Sequence, residues 1–430
     1  MTDLSSRRTP ARRPALVAVT LPLVLTLAAV TGCGAPEASG SGRTAEETGA
    51  AGRKTTIISM GDSYISGEAG RWWANAAYAG TDTFGDRWGT DRSAKGCDNR
   101  GKNCSWPPDE REVYSSSRDV RMGRASGSCH RSDIAEIESA GIKADFAENL
   151  ACSGAKTLDI LERWRRGEPP QIAELTKLAK DKKRKIELIQ VSIGGNDMGF
   201  AGIIRACYVA YETRWKLKSC RQEDPDLQAK LDEAKPKIVK TLKEIRTVMK
   251  SAGYRDHEYR LGIQSYPSPL PAGTDNRYKT GILWEGERWN PGGCPFGDEE
   301  ADWSRKKLVP EIAKMIKEAA KETGADFLDL QHAFEGHEVC RKGVQQSTES
   351  HNFKNPLPAS EAEWVRYMGF GIEQGSIQES LHPNAYGQMA LGDCLRKAYE
   401  LAKKLPAGSY ECRGGVKGRG PLDMAVTPIK

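Results

Sequence analysis

"TTIISMGDSYISGEAG", residues 55 to 70, carries a β-branched apolar run into a glycine, an aspartate and a serine. The run from Thr55 to Met60 has the composition of a buried strand, and Gly61 allows a tight turn at its end. Ser63 then stands where the chain enters a helix, at the carboxyl edge of a sheet, which is where open α/β folds hold their ligands. Its amide points into the same space. Two readings of the hydroxyl are open at this point: an exposed nucleophile, or an N-cap in which Asp62 or Ser63 bonds a free helix amide.

Four further runs repeat the strand pattern: "ADFAENLA" (144 to 151), "IELIQVSI" (186 to 193), "RLGIQSY" (260 to 266) and "ADFLDL" (325 to 330). Helical patterns lie between them; Leu227, Leu231, Ile238, Leu242 and Ile245 recur at helical spacing, with Pro236 as an expected kink. This alternation predicts an α/β fold with a mostly parallel sheet of about five strands wrapped by helices. No second linker divides residues 54–405, so one domain is expected.

The ends of the chain read differently. Arg7, Arg8, Arg12 and Arg13 precede an apolar stretch from Leu16 to Val30 that is shorter than the roughly 20 residues needed to cross a bilayer, so residues 1–32 are read as a secretion signal. "VTGC" resembles a bacterial lipobox, which predicts lipidation of Cys33 and a membrane-anchored protein; cleavage and release is the alternative. Residues 33–53 are a flexible tether, and residues 406–430 are expected to be an irregular tail tied back by Cys394–Cys412. Residues 68–128 break the alternation and contain Trp72, Trp73, Trp88 and Trp106, as an insertion that either serves the neighbouring site or fills a small core of its own.

Removal of residues 1–32 takes away four Arg and one Asp and lowers the formal charge from +6 to +3, and the basic "KLAKDKKRK" (177 to 185) lacks interleaved aromatics; nucleic acid is not an expected partner. Apart from Cys33, ten cysteines remain, an even number that suggests disulfides in an exported chain. Cys97/Cys104 and Cys207/Cys220 are near enough in sequence to close small loops. No CxxC pair occurs and the six histidines are scattered, so no metal site is expected.

Three other stretches carry chemistry. In "NLACSGAKT" (149 to 157) Gly154 can bring a bare amide close to a substrate oxygen, or simply make a turn; Ser153 is a rival nucleophile without the GxSxG elbow. In "VSIGGNDMGF" (191 to 200) Asn196 is either an oxyanion donor or part of an Asx-turn. In "QESLHPNAYGQMALG" (378 to 392) Pro383 fixes the chain beside His382, holding the imidazole on a loop. Serine, backbone amide, amide side chain and histidine together are the set that acyl transfer uses.

These four stretches, in this order, resemble blocks I, II, III and V of the SGNH (GDSL) hydrolase family, with the greatest likeness to secreted actinomycete lipases and esterases. The resemblance implies a three-layer αβα, flavodoxin-like SGNH hydrolase fold. It implies Ser63 as nucleophile, His382 as general base, and the amides of Ser63 and Gly154 with the Asn196 side chain as oxyanion hole. The group orienting His382 would be either the Glu379 carboxylate, three residues before it, or the Ser380 main-chain carbonyl, which is favoured. "SGSCHRSD" with "ACSGA" implies Cys129–Cys152, "GGNDMGF…C…C" Cys207–Cys220, and "GGCPFG" with "FEGHEVC" Cys294–Cys340.

The expected activity is that of an extracytoplasmic serine carboxylic-ester hydrolase acting on an ester or lipid substrate as a monomer, with no metal or organic cofactor. A carbohydrate O-acetylesterase shares the four blocks, and a non-catalytic surface-binding lipoprotein is the reading from another class.

Overall fold

The computed structural model describes residues 52–76, 90–94, 109–116, 118–119, 129–212, 226–279, 285–369, 377–414 and 420–429. Residues 1–32, expected as a secretion signal, Cys33, nearly all of the expected tether, Trp88, Trp106, Cys97, Cys104 and Cys220 lie outside them.

Seven strands form one sheet: β1 (Lys54–Gly61), β2 (Phe146–Asn149), β3 (Arg184–Ser192), β4 (Arg260–Gln264), β5 (Asp326–His332), β6 (Ser409–Arg413) and β7 (Ala425–Ile429), in the order β2-β1-β3-β4-β5-β6-β7. The first six are parallel and β7 closes the edge antiparallel. Helices cover the sheet as the α/β class requires. The principal ones are α1 (Ser63–Ser66), α2 (Glu136–Ser139), α3 (Thr157–Leu161), α4 (Gln171–Lys180), α5 (Phe200–Glu212), α6 (Leu227–Ser251), α7 (Val309–Thr323) and α8 (Ala385–Ala402).

The five strands anticipated from composition are β1 to β5. The tail departs from expectation: it is not irregular but supplies β6 and β7. In "SYECR" the buried Tyr410 and Cys412 alternate with more exposed neighbours, which is a strand's period. Pro428 is tolerated because β7 is an edge strand. The disulfide Cys394–Cys412 fastens β6 to α8.

Each core strand is buried on both faces. Ile57 and Leu188 pack with Ile137 of α2 and Leu395 and Tyr399 of α8, whereas Ile58, Ile189 and Val191 join the larger core with Leu231, Ile238 and Leu242 of α6. A register shift between Thr56 and Ile57 leaves Glu187 unmatched on β3. The bulge explains why Ile186 and Leu188, two residues apart, serve opposite cores. Pro236 lies within α6, which continues through it with the ring on the exposed side, where water can satisfy the displaced carbonyl.

Because β1 lies between β2 and β3, the sheet order reverses between β1 and β3. The carboxyl ends of these two strands therefore border the crevice where doubly wound folds bind ligands. Ser63 follows β1 and Asn196 follows β3.

Two further expected disulfides, Cys129–Cys152 and Cys294–Cys340, are formed. Cys207 is also disulfide-bonded, and its expected partner Cys220 lies outside the described residues, as does the pair Cys97–Cys104. Trp72 from the insertion is completely buried against the main body, and the Trp73 ring lies 5.3 Å from that of Tyr386 on α8.

Candidate active site

The two readings of Ser63 separate at once in the local geometry. Asp62 is the residue that caps α1, accepting from the Tyr64 amide at 3.2 Å. The Ser63 hydroxyl is thereby free of capping duty, and it lies 2.7 Å from Nε2 of His382. Gly61 makes the approach possible: with φ at 132°, a Cβ there would stand 1.9 Å from the Ser192 carbonyl oxygen at the end of β3.

The imidazole is held from several directions. Its Nδ1 lies 3.0 Å from the Ser380 carbonyl oxygen, which can only accept, so Nδ1 carries the proton and Nε2 is left to accept from Ser63. Leu381, at φ 58°, turns the chain so that its carbonyl receives the Tyr64 hydroxyl at 2.9 Å, and the Tyr64 ring stands 4.8 Å from the imidazole. Burial depresses the pKa of His382 and the nearby His130 adds to this, while Glu68 and the Ser380 carbonyl oppose it. A depressed base is neutral and able to accept a proton at physiological pH.

Of the two groups expected to orient His382, the geometry selects the Ser380 carbonyl and not Glu379. The Glu379 carboxylate is turned to the buried side, where it accepts from Trp72 Nε1 at 2.9 Å and from the Tyr114 hydroxyl. Burial raises its pKa, against a lowering influence from Arg71. A carboxylate with two donors of its own satisfied away from the imidazole is not that ring's partner.

The groups expected to form the oxyanion hole also lie near strand ends, and of Gly154 and Asn196 it is Asn196 that lines the cavity. Asn196 gives one N–H of its side-chain amide to the Ala155 carbonyl at 3.0 Å, which fixes the group and leaves the second N–H for the cavity it lines. Gly154 has φ 71°, and a Cβ on it would meet the Arg165 guanidinium at 2.2 Å. Arg165 in turn holds the Ser153 carbonyl from Nε at 2.8 Å. Asp197 binds the Thr157 amide at 3.0 Å and its hydroxyl at 2.6 Å, joining the loop after β2 to the loop after β3. Ser153, the rival nucleophile, interacts with Glu68, and His382 Nε2 meets the Ser63 hydroxyl.

Beside Ser63, along the same cavity, runs a chain of hydrogen bonds. The Gly195 amide donates to the Tyr266 hydroxyl at 3.0 Å, and Tyr266 donates to Asp62 at 2.5 Å. Burial raises the Asp62 carboxyl to about 7, although Tyr266, the Tyr64 amide and Ser192 all favour its charged form.

In front lies a cavity of about 660 Å³. Phe200, Ile204 and Tyr208 of α5 form one wall, and Met368, Ile377 and Leu381 another, with Asn196, Ser63 and His382 at its floor. The sequence reading missed this wall, because α5 reads as an ordinary apolar helix and nothing in its spacing says that one face meets a void. It also missed Glu68, His130 and Tyr114, described below, whose partners are remote in sequence.

Residues 131–390, more than half of the chain, match the GDSL-like lipase/acylhydrolase family. The chain belongs to that family, and it is an ester hydrolase. The matched span begins after Ser63. The chain is similar to a lipase of Streptomyces rimosus, 24% identical over 271 residues, covering 61% of this chain and 75% of that protein. Lipase 1 of Streptomyces coelicolor is likewise 24% identical over 266 residues, covering 61% and 75%. Among solved structures, an extracellular lipase from Streptomyces rimosus aligns over 80% of this chain and 99% of its own, with 21% identity and a TM-score of 0.41. A phospholipase A1 from Streptomyces albidoflavus aligns over 81% and 99%, with 18% identity and a TM-score of 0.42.

Proposed function

We propose that this chain is an extracytoplasmic serine carboxylic-ester hydrolase of the lipase/esterase type, in which Ser63 is the nucleophile and His382 the general base. One observation carries the reading: Ser63 Oγ lies 2.7 Å from His382 Nε2 at the floor of a cavity whose walls are largely apolar. In the proposed cycle Nε2 takes the hydroxyl proton as Ser63 Oγ bonds the ester carbonyl carbon. The amides of Ser63 and Gly154 and the free N–H of Asn196 receive the negative charge on the carbonyl oxygen. The imidazolium returns its proton to the leaving alcohol as the C–O bond breaks. Water, deprotonated by the same nitrogen, then releases the acid from the acyl-enzyme.

The size and lining of the cavity favour an acyl chain over an acetyl group, since an acetyl ester leaves most of about 660 Å³ unfilled. The disulfides formed among the described residues suit an oxidising compartment, and lipidation at Cys33 would hold the enzyme at a membrane as a monomer. Turnover of p-nitrophenyl esters from acetate to palmitate tests the reading. Activity extending to medium and long acyl chains is expected. Turnover of acetate alone would overturn the lipid-ester reading in favour of the O-acetylesterase, and no turnover by the folded protein would favour the binding lipoprotein.

A further inference from the structure

The group that orients His382 is a carbonyl, and a carbonyl carries no charge. In a Ser-His-Asp triad the third member does two things: it fixes the imidazole, and its negative charge stabilises the imidazolium formed as serine attacks. Ser380 does the first only. Glu379, the carboxylate nearest in sequence, is committed to Trp72 and Tyr114.

A second carboxylate is placed to do the rest. Glu68 lies on the turn that leaves α1, and its amide donates to the Ser63 carbonyl at 3.1 Å, so it is fixed to the nucleophile's own turn. Its side chain is fully buried. One oxygen meets His130 Nδ1 at 2.6 Å, and Ser153 also favours the charged form of the carboxylate.

The surroundings are built to keep that charge. His130, itself at φ 47°, has its ring stacked on Tyr114 at 4.5 Å and 7°. The His130 carbonyl accepts from Ser66 Oγ at 3.2 Å, and the adjacent Cys129 is bonded to Cys152. The groups facing this region are His382, Ser153, Tyr114 and Glu379, with Arg71 acting on Glu379 and Tyr114 and Arg166 on His130. Burial by itself would neutralise both members of the pair, but their mutual attraction prevails: Glu68 is held below the ordinary carboxylate range and His130 above the ordinary imidazole range. At His382 the two members act in opposite senses: Glu68 favours the imidazolium and His130 disfavours it, Glu68 having the greater influence.

We propose that Glu68 is a positioning residue for ester hydrolysis: a buried carboxylate on the nucleophile's turn, paired with His130, that supplies His382 with the negative charge its carbonyl partner lacks. The inference rests on the Ser63–His382 reading above. Glu68 touches neither substrate nor the reacting atoms and acts through the imidazole.

The experiment follows kcat and kcat/KM for a p-nitrophenyl ester across the acid limb in the wild type, Glu68→Gln and Glu68→Asp, with melting temperatures alongside. Removing a neighbouring opposite charge shifts a pKa by about one unit or more, so Glu68→Gln should move the acid limb of kcat/KM to lower pH and lower kcat about tenfold with KM little changed. Glu68→Asp, which keeps the charge, should restore the limb toward that of the wild type. A folded Glu68→Gln enzyme with the wild-type limb and kcat would overturn the proposal. Where Glu68→Gln does not fold, histidine resonances of the wild-type protein decide: His130 should titrate at higher pH than His382, and the reverse order would overturn it. If Ser63→Ala retains full hydrolysis, the reading of the site has failed, and that failure is distinct from a limb that does not move in an enzyme dependent on Ser63.

Discussion

On one side of Ser63 and His382 the chain turns Phe200, Ile204, Tyr208 and Met368 toward a cavity of about 660 Å³. On the other side it buries Glu68, His130, Tyr114, Glu379 and Trp72, none more than 8% exposed. The first wall is apolar and faces the cavity; the second is polar, closed and joined by hydrogen bonds. The contrast teaches a division of labour. On the proposed function the open wall would set which acyl chain is bound and should be read in specificity, whereas the closed wall would set the strength of the base and should be read in kcat and its pH dependence.

The largest expected effect comes from breaking the line between the walls. His382→Ala should lower kcat for any turned-over ester by about 10⁴-fold or more, because the base and its hydrogen bond to Ser63 vanish together. Residual activity near the wild-type level would place the base elsewhere. Next is the donor at the cavity floor: Asn196→Ala should cost about 10² to 10³ in kcat with KM nearly unchanged, measured on the same ester. A change confined to KM would make Asn196 a binding group only. The open wall is sharpened by Ile204→Trp, which fills the cavity. It should reduce kcat/KM for palmitate relative to acetate by roughly tenfold or more, and an unchanged chain-length profile would remove α5 from the acyl site. The smallest kinetic effect is expected from Glu379→Gln. With the Trp72 and Tyr114 donors disturbed, the fold should lose about 1 to 3 kcal/mol by thermal melting while kcat stays within about threefold. A loss comparable to that of His382→Ala would restore Glu379 as the group orienting the imidazole.

The open wall's floor was legible in the sequence and the closed wall was not, for a physical reason. Ser63, Gly154, Asn196 and His382 each follow a strand or precede a helix with a glycine or proline beside them, and local backbone requirements leave such a mark. The preference for the Ser380 carbonyl over Glu379 also agrees with the geometry. Glu68 and His130, by contrast, are charged or titratable residues 62 positions apart, and Trp72 meets Glu379 across 307. Nothing local separates such residues from the solvated charges around them, because burial is decided by tertiary packing. The tail was misread for a related reason: "SYECR" is too short and too polar to announce a strand until β5 offers it an edge. The insertion tryptophan Trp72 serves the buried wall by bonding Glu379, which neither reading of that segment specified.

The central claim, that acyl transfer passes through Ser63, is tested most directly by treating the folded protein with a fluorophosphonate and mapping the adduct by peptide mass spectrometry. One adduct is expected, on the peptide containing Ser63, and it should disappear in Ser63→Ala. An adduct that persists in that variant, or that maps to Ser153, would contradict the account.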